Sequence, residues 1–304
     1  MKVIIPIAVE GDVLASTNVP ENDSAEWDDA ATYADKARVI LSAQKSVYES
    51  LQGSNTDNAP NAAGSTFWIR VMATKPYRAF DNVLSAPVTK TGNIVYSIAP
   101  ETLVRAVGLI GISAARATVA VVNPSDVTIA TQTKVLNDFS EIVDPFTMVT
   151  VEPGFQETAI FENVNCQPGN TVLITIGDGS GTSTISEIVL GDTVTIGTAI
   201  FGSGIGIDDY SSFNEDQFGN ITIVPRGYRD KTTFDIAVQT DAIRRIRRKL
   251  AGLRARLAVY YISDDDQDFG TTVYGRYDKL EMLISGPNIS DMELRILGAT
   301  YDGI

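Results

Sequence analysis

The chain has 304 residues, a formal charge of −14 at pH 7, a single cysteine and no histidine. That length predicts two or three domains with apolar cores of their own, and the negative charge disfavours a nucleic-acid partner for the chain as a whole. Without histidine the commonest general base, the commonest metal ligand and the ordinary catalytic triads are gone; Cys166 alone permits neither an intrachain disulfide nor a cysteine-based zinc site.

In chain order, residues 1–24 read as an N-terminal arm. Pro6 confines its strand, residues 3–9, to a sheet edge or to addition on another element. Residues 10–29 are acidic and turn-rich, with Asn18-Val19-Pro20 and Asn22-Asp23-Ser24, as in a linker. The opening apolar run is interrupted too early for a signal peptide, and no run reaches the ~18 residues of a membrane span. A protein made in a cytoplasm, without membrane insertion, is expected.

Residues 25–74 hold both tryptophans of the sequence. Trp27, Tyr33, Tyr48 and the pair Phe67-Trp68 surround two short extended pieces, residues 37–41 and 46–50. A Gly/Ser/Asn/Pro-rich loop, residues 53–65, precedes the final pair. So short a segment buries little surface, and these rings have to supply most of its core. The pattern resembles the small chitin- and cellulose-binding modules of the family 5/12 type, where a Trp, a Tyr, a Val-Tyr strand and a final aromatic-Trp pair recur in this order. Those modules usually place a glycine before the first strand, where this chain has Asp35-Lys36. The resemblance implies a compact aromatic-rich β module with glycan contacts at Trp27, Tyr33, Tyr48, Phe67 and Trp68. An exposed ring plane covers the apolar face of a pyranose without loss of hydrogen bonds; the competing use of each ring is packing. Strand neighbours point to opposite faces, so one of Phe67 and Trp68 should face solvent, with Trp68 as the sugar platform. Ala73-Thr74-Lys75-Pro76 reads as a boundary.

Residues 75–201 read as a β-sandwich of jelly-roll type. Strand-length apolar runs at residues 94–98, 103–112, 117–122, 127–130, 148–151, 172–176, 185–190 and 193–200 alternate with turn signals such as Asn123-Pro124-Ser125-Asp126. An Arg78-Ala79-Phe80-Asp81 entry followed by a long inner strand through Val107-Gly108-Leu109 looks like the galactose-binding-like jelly rolls.

In residues 202–304, Gly202-Ser203-Gly204-Ile205-Gly206 lacks the spacing and the Lys-Ser/Thr of a phosphate loop and reads as a domain-connecting turn. Residues 216–220 form a turn between two strand-like pieces, and residues 231–238 alternate as another strand. Ile243, Ile246, Leu250, Leu253 and Leu257 then recur at helical spacing, predicting one helix over residues 241–257, capped by Thr240 or Asp241. Arg244, Arg245, Arg247 and Arg248 make it basic and suit carboxylate pairing at an assembly interface. Strands at 258–262, 271–277, 280–285 and 293–297 predict an antiparallel sheet under that helix. The run Asp264-Asp265-Asp266-Gln267-Asp268 has Phe269 and Gly275 where an EF-hand needs Gly and Glu, so a solvated hairpin tip is expected and no metal site. No catalytic constellation emerges, and neither enzyme activity nor a cofactor is expected.

Asp209-Tyr210-Ser211, Phe218-Gly219-Asn220, Leu250-Ala251-Gly252-Leu253-Arg254 and Val273-Tyr274-Gly275 follow the arm, module and sandwich in an order similar to that of tail or baseplate virion proteins of tailed bacteriophages, often labelled carbohydrate-binding. The resemblance implies a structural protein made in the host bacterial cytoplasm and sited in the virion tail. It would be oligomeric there, docked to other tail or baseplate proteins, and in contact with host-surface glycan. The alternative is a stand-alone carbohydrate-binding protein or an accessory module of a polysaccharide-active enzyme, which the absence of a signal peptide disfavours.

Overall fold

The first strand, Lys2–Pro6, lies in the middle of a ten-stranded antiparallel sheet. It is flanked by Glu187–Thr195 on one side and Ala258–Tyr261 on the other. Beyond Glu187–Thr195 come Ala106–Ile110 and Thr158–Phe161. Beyond Ala258–Tyr261 come Val273–Leu283, Ile289–Tyr301 and Tyr228–Gln239, the last pairing with both Thr198–Ala199 and Gly204–Asp209. The computed structural model describes residues 1–139, 142–151, 154–200, 202–215, 217–262 and 271–301, and it is mainly β, with one main helix near the C-terminus.

Pro6 was expected to confine this strand to a sheet edge or to addition on another element, and the register shows how it sits inside the sheet. Ile7 N–H bonds to Leu190 O, and Ile196 N–H bonds to Met1 O. By alternation, the amide positions of Lys2, Ile4 and Pro6 face the other neighbour, whose pairing ends at Ile4–Val259. The missing proline N–H therefore falls where no acceptor waits.

The sheet is tightly curled at this point. Ala106–Ile110 and Ala258–Tyr261 are three strand intervals apart, about 14 Å in a flat sheet. Yet a Cβ on Gly108 would lie 3.2 Å from a Val259 methyl and 3.4 Å from the tips of Ile4 and Ile160. The concave face is filled by Ile4, Ala106, Ile110, Ile160, Val189, Val259, Tyr261 and Tyr274, with Leu84 entering from a loop. At one end Glu162 closes the curl, accepting from Lys2 Nζ at 2.7 Å and from the Tyr261 hydroxyl at 2.6 Å.

On the convex face, alternation sends Val107, Leu109, Ile188 and Leu190 against a five-stranded sheet of Thr128–Val135, Arg116–Val122, Thr171–Ile176, Ile94–Ile98 and Leu14–Thr17. This is the predicted sandwich. Further along, Val3, Tyr260, Phe234, Ile236, Leu294 and Ile296 lie under the helix Ile243–Gly252. A four-stranded sheet of Ala25–Glu26, Arg38–Leu41, Ser46–Ser50 and Trp68–Ala73 forms the aromatic module.

Several local expectations are corrected. Residues 10–29 are not only a linker, because Leu14–Thr17 joins the sandwich and Val19 is buried in its core. The boundary at residues 73–76 is tied down: Asp23 accepts from Lys75 N–H at 2.6 Å and pairs with Arg78 at 2.6 Å, while Pro76 and Ala79 are buried. Residues 148–151 form no strand. Asp144 Oδ1 accepts the N–H groups of Phe146 and Thr147 at 2.9 and 2.7 Å and starts the single helical turn Thr147–Thr150. Gly204, Ile205 and Gly206, expected within a connecting turn at residues 202–206, belong to the edge strand Gly204–Asp209 of the long sheet. The main helix begins after a 3-10 turn, Thr240–Ala242, with no side-chain cap. The Thr240 hydroxyl donates instead to Gly286 O at 3.0 Å. The helix stops at Gly252, and Ala255 turns the chain at φ +60°, so Leu257 packs on the concave core instead of the helical stripe. The predicted acidic tip, residues 264–268, and Asp216 lie outside the described residues.

Candidate functional site

The five aromatic residues singled out in the module do come together, and they meet as a core. Val39, Tyr48 and Trp68 are buried, with Trp27, Tyr33, Leu41 and Phe67 half-buried around them. The turn before the first strand forms without glycine: Lys36 takes φ +63°, its N–H bonds to Ser50 O at 2.8 Å, and Ala37 N–H bonds to Ala34 O at 3.2 Å. Trp68 is only 4% exposed. Its indole N–H donates to Asn58 O at 2.7 Å, and its ring meets Tyr33 edge-on with centroids 5.1 Å apart. The ring expected to serve as a sugar platform thus has no open face, and Phe67 is the more exposed member of the pair. Tyr48 is also inside, its hydroxyl donating to Gln44 Oε1. Trp27, Tyr33 and Phe67 form the partly open rim, although the Tyr33 hydroxyl is held by the Asp28 backbone at 2.7 and 3.2 Å.

The second predicted site is the basic helix. Ile246, Leu250 and Leu253 face the sheet, which leaves Arg244, Arg245, Arg247, Arg248 and Lys249 exposed. No ion pair ties these five to a carboxylate among the described residues. Ile243, Arg244, Arg247, Arg248 and Ala251 line a shallow depression on its outer side.

A third site went unread in the sequence. The loop after Lys75–Phe80 plugs the open end of the curled sheet, and a groove of about 490 Å³ there is lined by Pro6, Phe80, Asn82, Glu187, Arg256 and Tyr274, among others. Glu187 is 3% exposed. Its Oε2 accepts from Asn82 N–H at 3.0 Å, and Asn82 Oδ1 accepts from the Tyr274 hydroxyl at 2.7 Å. Burial, and then the Asp81 charge, push the Glu187 carboxyl up to about 9 from its ordinary 4.5. Burial likewise raises Asp81 and the Tyr274 phenol. Among the described residues no group of three or more His, Cys, Asp and Glu side chains is placed to hold a metal ion, and no helix is long and apolar enough to cross a membrane.

Two outcomes follow from this geometry. Trp68→Ala should destabilise the protein by about 3–5 kcal/mol, the cost of truncating a buried aromatic, as read by denaturant unfolding; an unchanged midpoint would return Trp68 to the surface. Glu187 holds its proton to about pH 9 when folded and releases it near 4.5 when unfolded, so this group makes stability fall as pH rises between those values. Glu187→Gln keeps the neutral hydrogen bonds and removes that slope. Its melting temperature should match the wild type near about pH 5 and exceed it increasingly towards about pH 9; a pH-independent gap would contradict the protonated network.

No family model matches this chain, and neither does any curated protein or solved structure compared with it.

Proposed function

We propose that the chain is a structural component of a bacteriophage tail tip or baseplate, built to dock on other virion proteins and not to catalyse a reaction. The observation that carries this reading is apolar surface on segments that project from the cores. Phe146 and Val149 are 75% and 86% exposed on the turn beyond Thr128–Val135, with Val143 and Met148 beside them. On the hairpin of Ser212–Glu215 and Ile221–Val224, Phe213 is 64% exposed, and Ile221 and Ile223 are exposed with it. Ile205 and Ile207 extend this surface along an open sheet edge. A monomer seldom carries such clusters, because they invite association. A virion subunit covers them on assembly.

The order of motifs along the chain is similar to that of tail proteins, and the exposed arginines suit carboxylates on a neighbouring subunit. Contact with host-surface glycan would fall to Trp27, Tyr33 and Phe67, the rim residues of the module, with Trp68 and Tyr48 supporting them from within.

Reversing Arg244 and Arg248 to Glu in the phage genome tests the assembly role. The variant should fold with unchanged circular dichroism and melting temperature and be missing from purified particles. Full incorporation of the folded variant would overturn the role of the arginine face.

A further inference from the structure

The face of the C-terminal sheet turned away from the helix carries a row of carboxylates. Glu293 on Ile289–Tyr301 is in direct register with Asp235 on one neighbouring strand and with Glu281 on the other. One step along, Asp291 stands opposite Ala237 and Leu283. Like charges directly opposed across strands destabilise a sheet, so such a row calls for cations. Lys279 serves part of it, at 2.7 Å from Glu281 and 3.3 Å from Glu293. Asp235 and Asp291 are exposed and have no ion pair among the described residues. Together with Ile200 and Leu283, both exposed, these acids line a groove of about 440 Å³.

We propose that this groove receives the arginine face of the helix from a second copy of the same chain. This docking presupposes that the arginine face is an assembly interface, as proposed above, and assigns it a partner surface. The charges are complementary: among the described residues the helix arginines have no ion pair, and neither do Asp235 and Asp291 in the groove. The shapes agree as well. Arg244, Arg247 and Arg248 share one side of the helix within about 6 Å along its axis, and three strands in register spread the carboxylates over about 10 Å. Ile243 and Ala251 flank the arginines with apolar surface, as Ile200 and Leu283 flank the acids.

Phe234, Ile236, Met292 and Leu294 lie under the helix, so alternation places Asp235, Asp291 and Glu293 on the opposite side of the same sheet. A chain cannot reach its own groove with its own helix. The contact is head-to-tail, and its repetition builds a ring or a filament.

Sedimentation velocity on the full-length protein tests this over a range of concentrations at low and high salt. The wild type should self-associate, less so at high salt. Arg244→Glu with Arg248→Glu, and separately Asp235→Lys with Asp291→Lys, should each weaken association by about tenfold or more while melting as the wild type does. Mixing the two variants pairs a native helix with a native groove and a reversed helix with a reversed groove, both complementary in charge, so association should be restored in the mixture. A wild type that stays monomeric in every condition overturns the proposal. So does undiminished association of the Asp235/Asp291 variant. If the arginine reversal is nevertheless absent from particles in either case, the helix docks on a different virion protein and the assembly role stands without self-docking.

Discussion

Placing Lys2–Pro6 between Glu187–Thr195 and Ala258–Tyr261 is the constraint on which the rest of the structure depends. A strand from the start of the chain joins two halves that are otherwise separate in sequence. Its alternate side chains serve different cores: Val3 lies under the helix, while Ile4 fills the concave face. The curl that closes this face leaves little room for a side chain at Gly108, where a Cβ would lie 3.2 Å from a Val259 methyl and 3.4 Å from the tip of Ile160. Glu162 then ties Lys2 to Tyr261, so the first strand is held by main-chain pairing, apolar packing and an ion pair together.

What the sequence made legible was whatever local periodicity encodes. Apolar runs bounded by turn residues marked Ile94–Ile98, Arg116–Val122 and Thr171–Ile176 closely, and the stripe of Ile246, Leu250 and Leu253 marked the helix and its buried face. The failures have a common cause, in that long-range partners decide them. Pro6 reads as an edge signal until the length of the neighbouring strand is known. Residues 10–29 read as linker because only one short strand, Leu14–Thr17, and the buried Val19 carry them into the sandwich. Strand alternation was expected to turn one of Phe67 and Trp68 to solvent, but the strand begins at Trp68, Phe67 packs half-buried against the same core, and Asn58 and Tyr33 cover Trp68. Asn82, Glu187 and Tyr274 are remote from one another in sequence, and only an acid opening the apolar run Glu187-Ile188-Val189-Leu190 hinted at them.

Polar groups follow two regimes in this molecule. Inside, burial favours the neutral form of Glu187, which accepts from Asn82 N–H while Asn82 accepts from Tyr274, and this chain of bonds links the plugging loop to two strands of the sheet. Outside, charge is segregated by face, with arginines on the helix and carboxylates across the sheet behind it. Apolar residues such as Phe146 and Ile223 are exposed on projecting segments beside these charged faces.

The continuity of the long sheet through its first strand is most directly tested by native-state hydrogen exchange. The amides of Val3, Ile4 and Ile5 should exchange with the same opening free energy as those of Leu190 and Tyr260, at the level of global unfolding. Exchange of Val3, Ile4 and Ile5 at the rate of a frayed terminus, with Leu190 and Tyr260 still protected, would show that the halves hold together without the strand and would contradict this account.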